Sequence, residues 1–123
     1  MEKTSFFVAT RKIWQNYSKN RCMLIYNVTS QISWEIQEAW LEWMKITHIP
    51  EVIGSGCFTH HRLVRVLEID ETEGPTYAVQ YFTETLALYH RYREENGAKL
   101  RNDAIKTWGG AFISYHSLME VVH

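Results

Sequence analysis

His48 has more chemical potential than any other residue in this chain. It follows Trp40, Trp43 and Met44 at helical spacing and is followed at once by Ile49 and Pro50, so the pattern places an imidazole at the C-terminal end of a helix. There the helix dipole favours the charged ring. An imidazole so placed either works as an acid/base group in a pocket or bonds the last free carbonyls as a cap, and capping is the commoner use. Trp34, Trp40 and Trp43 could wall an aromatic cavity, but Trp40 and Trp43 fall on a helical stripe of the kind any buried helix shows. Trp43, His48 and, from a strand-like segment further on, Tyr81 are the candidate ligand-binding residues. His48 is the one catalytic candidate.

Other reactive types lack partners at useful spacing. His60 and His61 are adjacent, and neighbours on a strand point to opposite faces, so both cannot bind one ion without a bulge. His90 and His116 have no second ligand two or four residues away, and Cys57 would need His60 and His116 to converge on it. No metal site and no cofactor is expected. Neither a glycine-rich phosphate loop nor a nucleophile elbow occurs in the sequence. Cys22 and Cys57 stand without zinc or CxxC spacing, which fits a reducing cytoplasm.

The elements that must position these residues are read from periodicity. Leu24, Tyr26 and Val28 alternate with Ile25, Asn27 and Thr29, the pattern of a half-buried strand over residues 23–29. Ser33 can cap a helix in which Ile36, Trp40, Trp43, Met44 and Thr47 share a face, and Pro50 should stop that helix near Ile49. Gly54 and Gly56 precede a second strand over 58–68, and the turn chemistry of Asp70, Glu71, Glu73, Gly74 and Pro75 joins it to a third over 76–82. A second helix opens near Thr83 or Thr85, carries Leu86, Tyr89 and Tyr92, and should stop at Asn96-Gly97 in a left-handed cap. A continuation from Ala98 puts Leu100, Ala104 and Trp108 on one stripe before Gly109-Gly110, and a last strand follows over 111–122. The order βαββαβ implies a ferredoxin-like α+β domain, a four-stranded antiparallel sheet with both helices on one face.

Such a sheet leaves its second face to solvent or to a partner. Leu24, Tyr26, Val28, Tyr77, Val79 and Tyr81 form the helix-side set. The opposite set includes Ile25, Asn27, Ala78, Gln80 and Phe82, too apolar for a solvated face and suited to a wet interface. These five are the candidate dimer-interface residues, and two such sheets face to face make a dimeric α/β barrel.

With 123 residues, 46% apolar and 22% charged, the composition is that of one folded domain. Charge is uneven: residues 1–22 balance to +4, leaving −5 for the rest, so 1–22 reads as a basic N-terminal extension and 23–123 as the domain. An acidic domain and a net charge of −1 give no attraction to nucleic acid or to an anionic membrane, and no apolar run is long enough to cross a bilayer. The strand around Tyr77 and Tyr81 partly echoes an RNA-recognition motif, yet its basic-glycine lead is missing.

Four segments resemble a bacterial family known only as a domain of unknown function: Ile25-Tyr26-Asn27-Val28-Thr29; Trp40-Leu41-Glu42-Trp43-Met44 with His48-Ile49-Pro50-Glu51-Val52; Tyr77-Ala78-Val79-Gln80-Tyr81-Phe82; and Leu118-Met119-Glu120-Val121-Val122. The resemblance covers residues 23–122 and implies a ferredoxin-like fold related in shape to dimeric α/β-barrel proteins, with dimerisation. It brings no catalytic residues. The expectation is a cytoplasmic homodimeric binding or regulatory module. The alternative is a small enzyme, similar to cofactor-free oxygenases, acting on an apolar or aromatic molecule. The two separate on one feature, because an enzyme needs an enclosed cavity reached by His48.

Overall fold

The alternation at the head of the domain forms strand β1, Leu24–Ile32, which ends three residues beyond the expected Thr29. In this computed structural model residues 23–123 are described, and the basic extension at 1–22 lies outside them. After a 3-10 turn at Trp34–Ile36 comes helix α1 (37–54), built of Gln37–Trp43, a π-helical turn Met44–His48 and a last segment Ile49–Gly54. Strands β2 (His60–Val66) and β3 (Thr76–Thr83) form the expected hairpin. Helix α2 (86–108) is again interrupted, with Leu86–Tyr92, a π turn Arg93–Gly97 and Ala98–Trp108. Strand β4 is Phe112–Glu120. The sheet order is β2-β3-β1-β4, antiparallel throughout, which is the ferredoxin-like arrangement.

Both helices run past the points where local signals should end them. Pro50 does not stop α1. In the π turn the Ile49 amide bonds the Met44 carbonyl five residues back, and Pro50 falls in the first turn of the next segment, where its missing N–H costs little. Asn96-Gly97 does not cap α2 either, because Gly97 keeps a right-handed φ of −58°. The π turn absorbs one residue there, and Leu100 returns to the core. The left-handed stop comes at Gly109, with φ 56°. Ser33 makes no side-chain cap; its hydroxyl and amide both donate to the Ala111 carbonyl, tying α1 to the start of β4. Thr85 does cap α2, accepting from the Leu88 amide at 3.1 Å.

Register sorts the side chains. Tyr26 lies opposite Tyr81 on one side and Leu118 on the other, and Val28 lies between Val79 and His116, all facing the helices. Tyr81, Val79, Ile32 and Val52 are sealed in the core with Trp40, which stacks on Tyr77 at 5.5 Å. Tyr26 meets Phe58, Tyr81, Tyr89 and Tyr92 with ring centroids 5.3 to 6.1 Å apart, and each such pair adds about 0.5–1.5 kcal/mol beyond area burial. Gly74 holds the junction of β1 and β3. A Cβ on it would fall 1.6 Å from the Ile32 carbonyl oxygen, so the close approach admits only glycine.

Candidate functional site

Between α1, α2 and the β1 and β4 half of the sheet lies a cavity of about 660 Å³, within the range of small-molecule sites. Trp40, Trp43, Met44 and His48 of α1 line one wall. Tyr89, Tyr92, Arg93 and Arg101 of α2 line another, and Tyr26, Ser30, Tyr81, Ser114, His116 and Leu118 of the sheet form the base. Each π turn gives residues to this space, Met44 and His48 from the first, Arg93 and Gly97 from the second. An inserted residue shifts which side chains face inward, and π turns recur where helices carry sites.

His48 is not at the end of its helix, so it is no cap. The helix runs on for six residues, Ile49–Gly54, and the half-buried ring stacks on Trp43 with centroids 4.7 Å apart. Burial pulls its pKa down to about 4, with Asp103 opposing the shift, and the ring is neutral near pH 7. This reverses the charged state expected of a helix C-terminus. Among the described residues, two buried polar atoms have no hydrogen-bond partner, Nδ1 of His48 and Nε1 of Trp108. Both rings pack on Trp43.

A second polar group sits across the cavity. The Tyr26 hydroxyl lies 2.5 Å from Nδ1 of His116. Burial pushes the Tyr26 phenol up to about 12, while His116 is lowered by burial and then by Arg101 and Arg93. Both are neutral, and which of the two donates follows the tautomer of the imidazole. Beside them, Ser30 and Ser114 bond across β1 and β4 at 2.7 Å.

Trp43, His48 and Tyr81 thus line one cavity. Trp34 does not: it is exposed, with Nε1 donating to the Glu71 carbonyl at 2.9 Å. His60 is on the outer sheet face, stacked on Phe82 at 4.2 Å, and Cys57 is a buried free thiol within the core. Of the interface candidates, Ile25, Asn27, Gln80 and Phe82 are half-buried on the face away from the helices, whereas Ala78 is already buried within the single chain. The same face of β4 exposes Ile113, Tyr115 and Met119, which periodicity alone did not single out. His116 was weighed only as a metal ligand, and Arg93 and Arg101 were not singled out as site residues. The signal for the arginines was a break in phase, since Tyr92 and Gly97 both face inward but stand five residues apart.

Solved structures share this fold at low identity. A dimeric ferredoxin-like protein from an uncultured marine organism superposes with a TM-score of 0.58 at 15% identity, covering 83% of this chain and 96% of its own. A cofactor-independent oxygenase from Streptomyces nogalater gives 0.58 at 12% identity, over 82% and 94%. An EthD-like protein from Ralstonia eutropha gives 0.60 at 12%, over 82% and 93%. No curated protein matches the chain. A family model described as "Domain of unknown function (DUF4286)" matches residues 23–122.

Proposed function

Because the chain belongs to the DUF4286 family, whose description specifies no activity, we propose from its own geometry that it is a homodimeric binding protein for an aromatic small molecule. The observation that carries this is the cavity of about 660 Å³ with a neutral imidazole, its Nδ1 without a partner, stacked on Trp43 in its wall. The aromatic and neutral polar side chains converging on this space, Trp43, His48, Tyr26 and Tyr81, suit a flat apolar molecule. The apolar set on the outer sheet face supports pairing of two copies, and the resulting dimer belongs in the cytoplasm, apart from nucleic acid and membrane. Among the described residues no helix is long and apolar enough to cross a membrane.

A second reading is an enzyme in which His48 takes a proton from the bound molecule, in the manner of a cofactor-free oxygenase. The neutral state of His48 and the shared fold with one such oxygenase favour it. A ring held near 4 is nevertheless a weak base at pH 7, which ranks binding first. Screening aromatic compounds by quenching of tryptophan fluorescence tests both readings. His48→Asn is expected to weaken binding about tenfold while moving the melting temperature little, and turnover of any bound compound lost in the same variant would establish the enzyme. Wild-type protein that binds no aromatic compound at millimolar concentration would overturn both.

A further inference from the structure

The charges around the cavity are one-sided. Arg93 and Arg101 line it beside the neutral rings of His48 and His116, and no aspartate or glutamate does. Neither arginine is in an ion pair, the ion pairs among the described residues being Arg65 with Glu71 and Lys99 with Asp103. This holds in a domain whose overall balance is −5, so the mouth of the cavity is a local exception to the charge around it. Two guanidinium groups facing one space, unpaired and on an otherwise acidic domain, define where a negative group would be held.

The backbone explains how the two come to face the same way. Eight residues along an unbroken α-helix would leave them about 80° apart around the axis. The π turn Arg93–Gly97 takes up one residue, which brings the offset to about 20°. Arg93 is further steadied over the Tyr89 ring, 6.0 Å from its centroid. The Tyr26–His116 pair adds neutral polar groups at the same end. The aromatic end, with Trp43 and the neutral His48, lies in the field of Asp103, which is paired with Lys99.

We infer that the ligand is an aromatic acid, its carboxylate held by Arg93 and Arg101 and its ring laid against Trp43 and His48. This deepens the binding reading and rests on it. Planar guanidinium forks match a carboxylate with paired hydrogen bonds, a geometry an ammonium does not reproduce. Both arginines already act on the Tyr26 phenol and the His116 ring, which places their charge at the polar end of the cavity.

The test uses the full chain with 2-naphthoate and its uncharged counterpart 2-naphthamide, read by tryptophan quenching and calorimetry. Naphthoate is expected to bind at least tenfold tighter at low salt, with the preference shrinking as salt rises. In the double variant Arg93→Gln, Arg101→Gln the naphthoate affinity should fall at least tenfold while naphthamide stays within twofold. Both arginines are solvent-exposed, so melting should be nearly unchanged. Arg→Lys at both positions should restore only part of the preference. Equal wild-type affinity for acid and amide would remove the anion site and leave the aromatic cavity standing, as would a preference that survives the double Gln variant. Binding of neither probe would remove the aromatic cavity as well.

Discussion

Strand β3, on one side of β1, buries six of its eight residues, whereas β4, on the other side, buries none of its nine. Both pair with β1 in antiparallel register and both present alternate side chains to the helices. The difference is place. Among the described residues β3 has a strand on each edge and the α1 core above it, while β4 has one neighbour, the cavity on one face and no covering element on the other. Stability is therefore concentrated at β3 and ligand access at β4, and substitutions on the two strands should separate the two properties.

The largest effect is expected at the entrance to β3. Gly74→Ala puts a methyl group into the Ile32 backbone and should cost several kcal/mol, read as a collapse of the denaturant midpoint or failure to fold. Next, Tyr81→Ala on β3 should cost about 3–5 kcal/mol, whereas Leu118→Ala on β4 should cost less than about 1 kcal/mol and act mainly on ligand affinity. A comparable loss at both positions, measured by urea unfolding, would erase the contrast.

Acid should expose the cavity side. The pKa values of His48 and His116 are depressed in the folded protein, so below pH 6.5 the unfolded chain binds more protons than the native one. Their contribution is fully present above pH 6.5 and is lost as pH falls toward about 4, where native His48 titrates. A fully linked proton changes stability by up to about 1.4 kcal/mol per pH unit. Urea midpoints compared at pH 7.5 and 5 should therefore drop, and drop less in His48→Asn. The smallest stability change is expected on the outer face: Phe82→Lys or Tyr115→Lys should halve the mass seen by light scattering while shifting melting by only a few degrees. A wild type that is monomeric at micromolar concentration would refute the dimer.

The strands and their faces were legible because period-2 alternation reports burial directly, as at Leu24, Tyr26 and Val28. The aromatic wall was legible in part, since Trp40 and Trp43 hold helical spacing, whereas Trp43 and His48 stand five residues apart and meet through the π turn. What stayed hidden is the effect of a π turn. Pro50 and Asn96-Gly97 are strong local stop signals, yet tertiary packing carries both helices past them, and the inserted residue changes which side chains face inward. Arg93, which falls with Leu86, Tyr89 and Tyr92 in the helical pattern, and Arg101 were therefore not paired by spacing. His116 was discounted for want of a partner nearby in sequence, when its partner Tyr26 is 90 residues away.

That separation bears on biosynthesis. β1 is made among the first elements of the domain, but its second neighbour, β4, leaves the ribosome last, and the ladder pairing Leu24 with Glu120 cannot zip until then. Until that moment the nascent chain carries an open edge beside Tyr26, the kind of unpaired strand that recruits wrong partners. The cavity likewise lacks its His116 and Leu118 side until β4 docks, so the ability to hold a ligand is acquired in the closing step of folding.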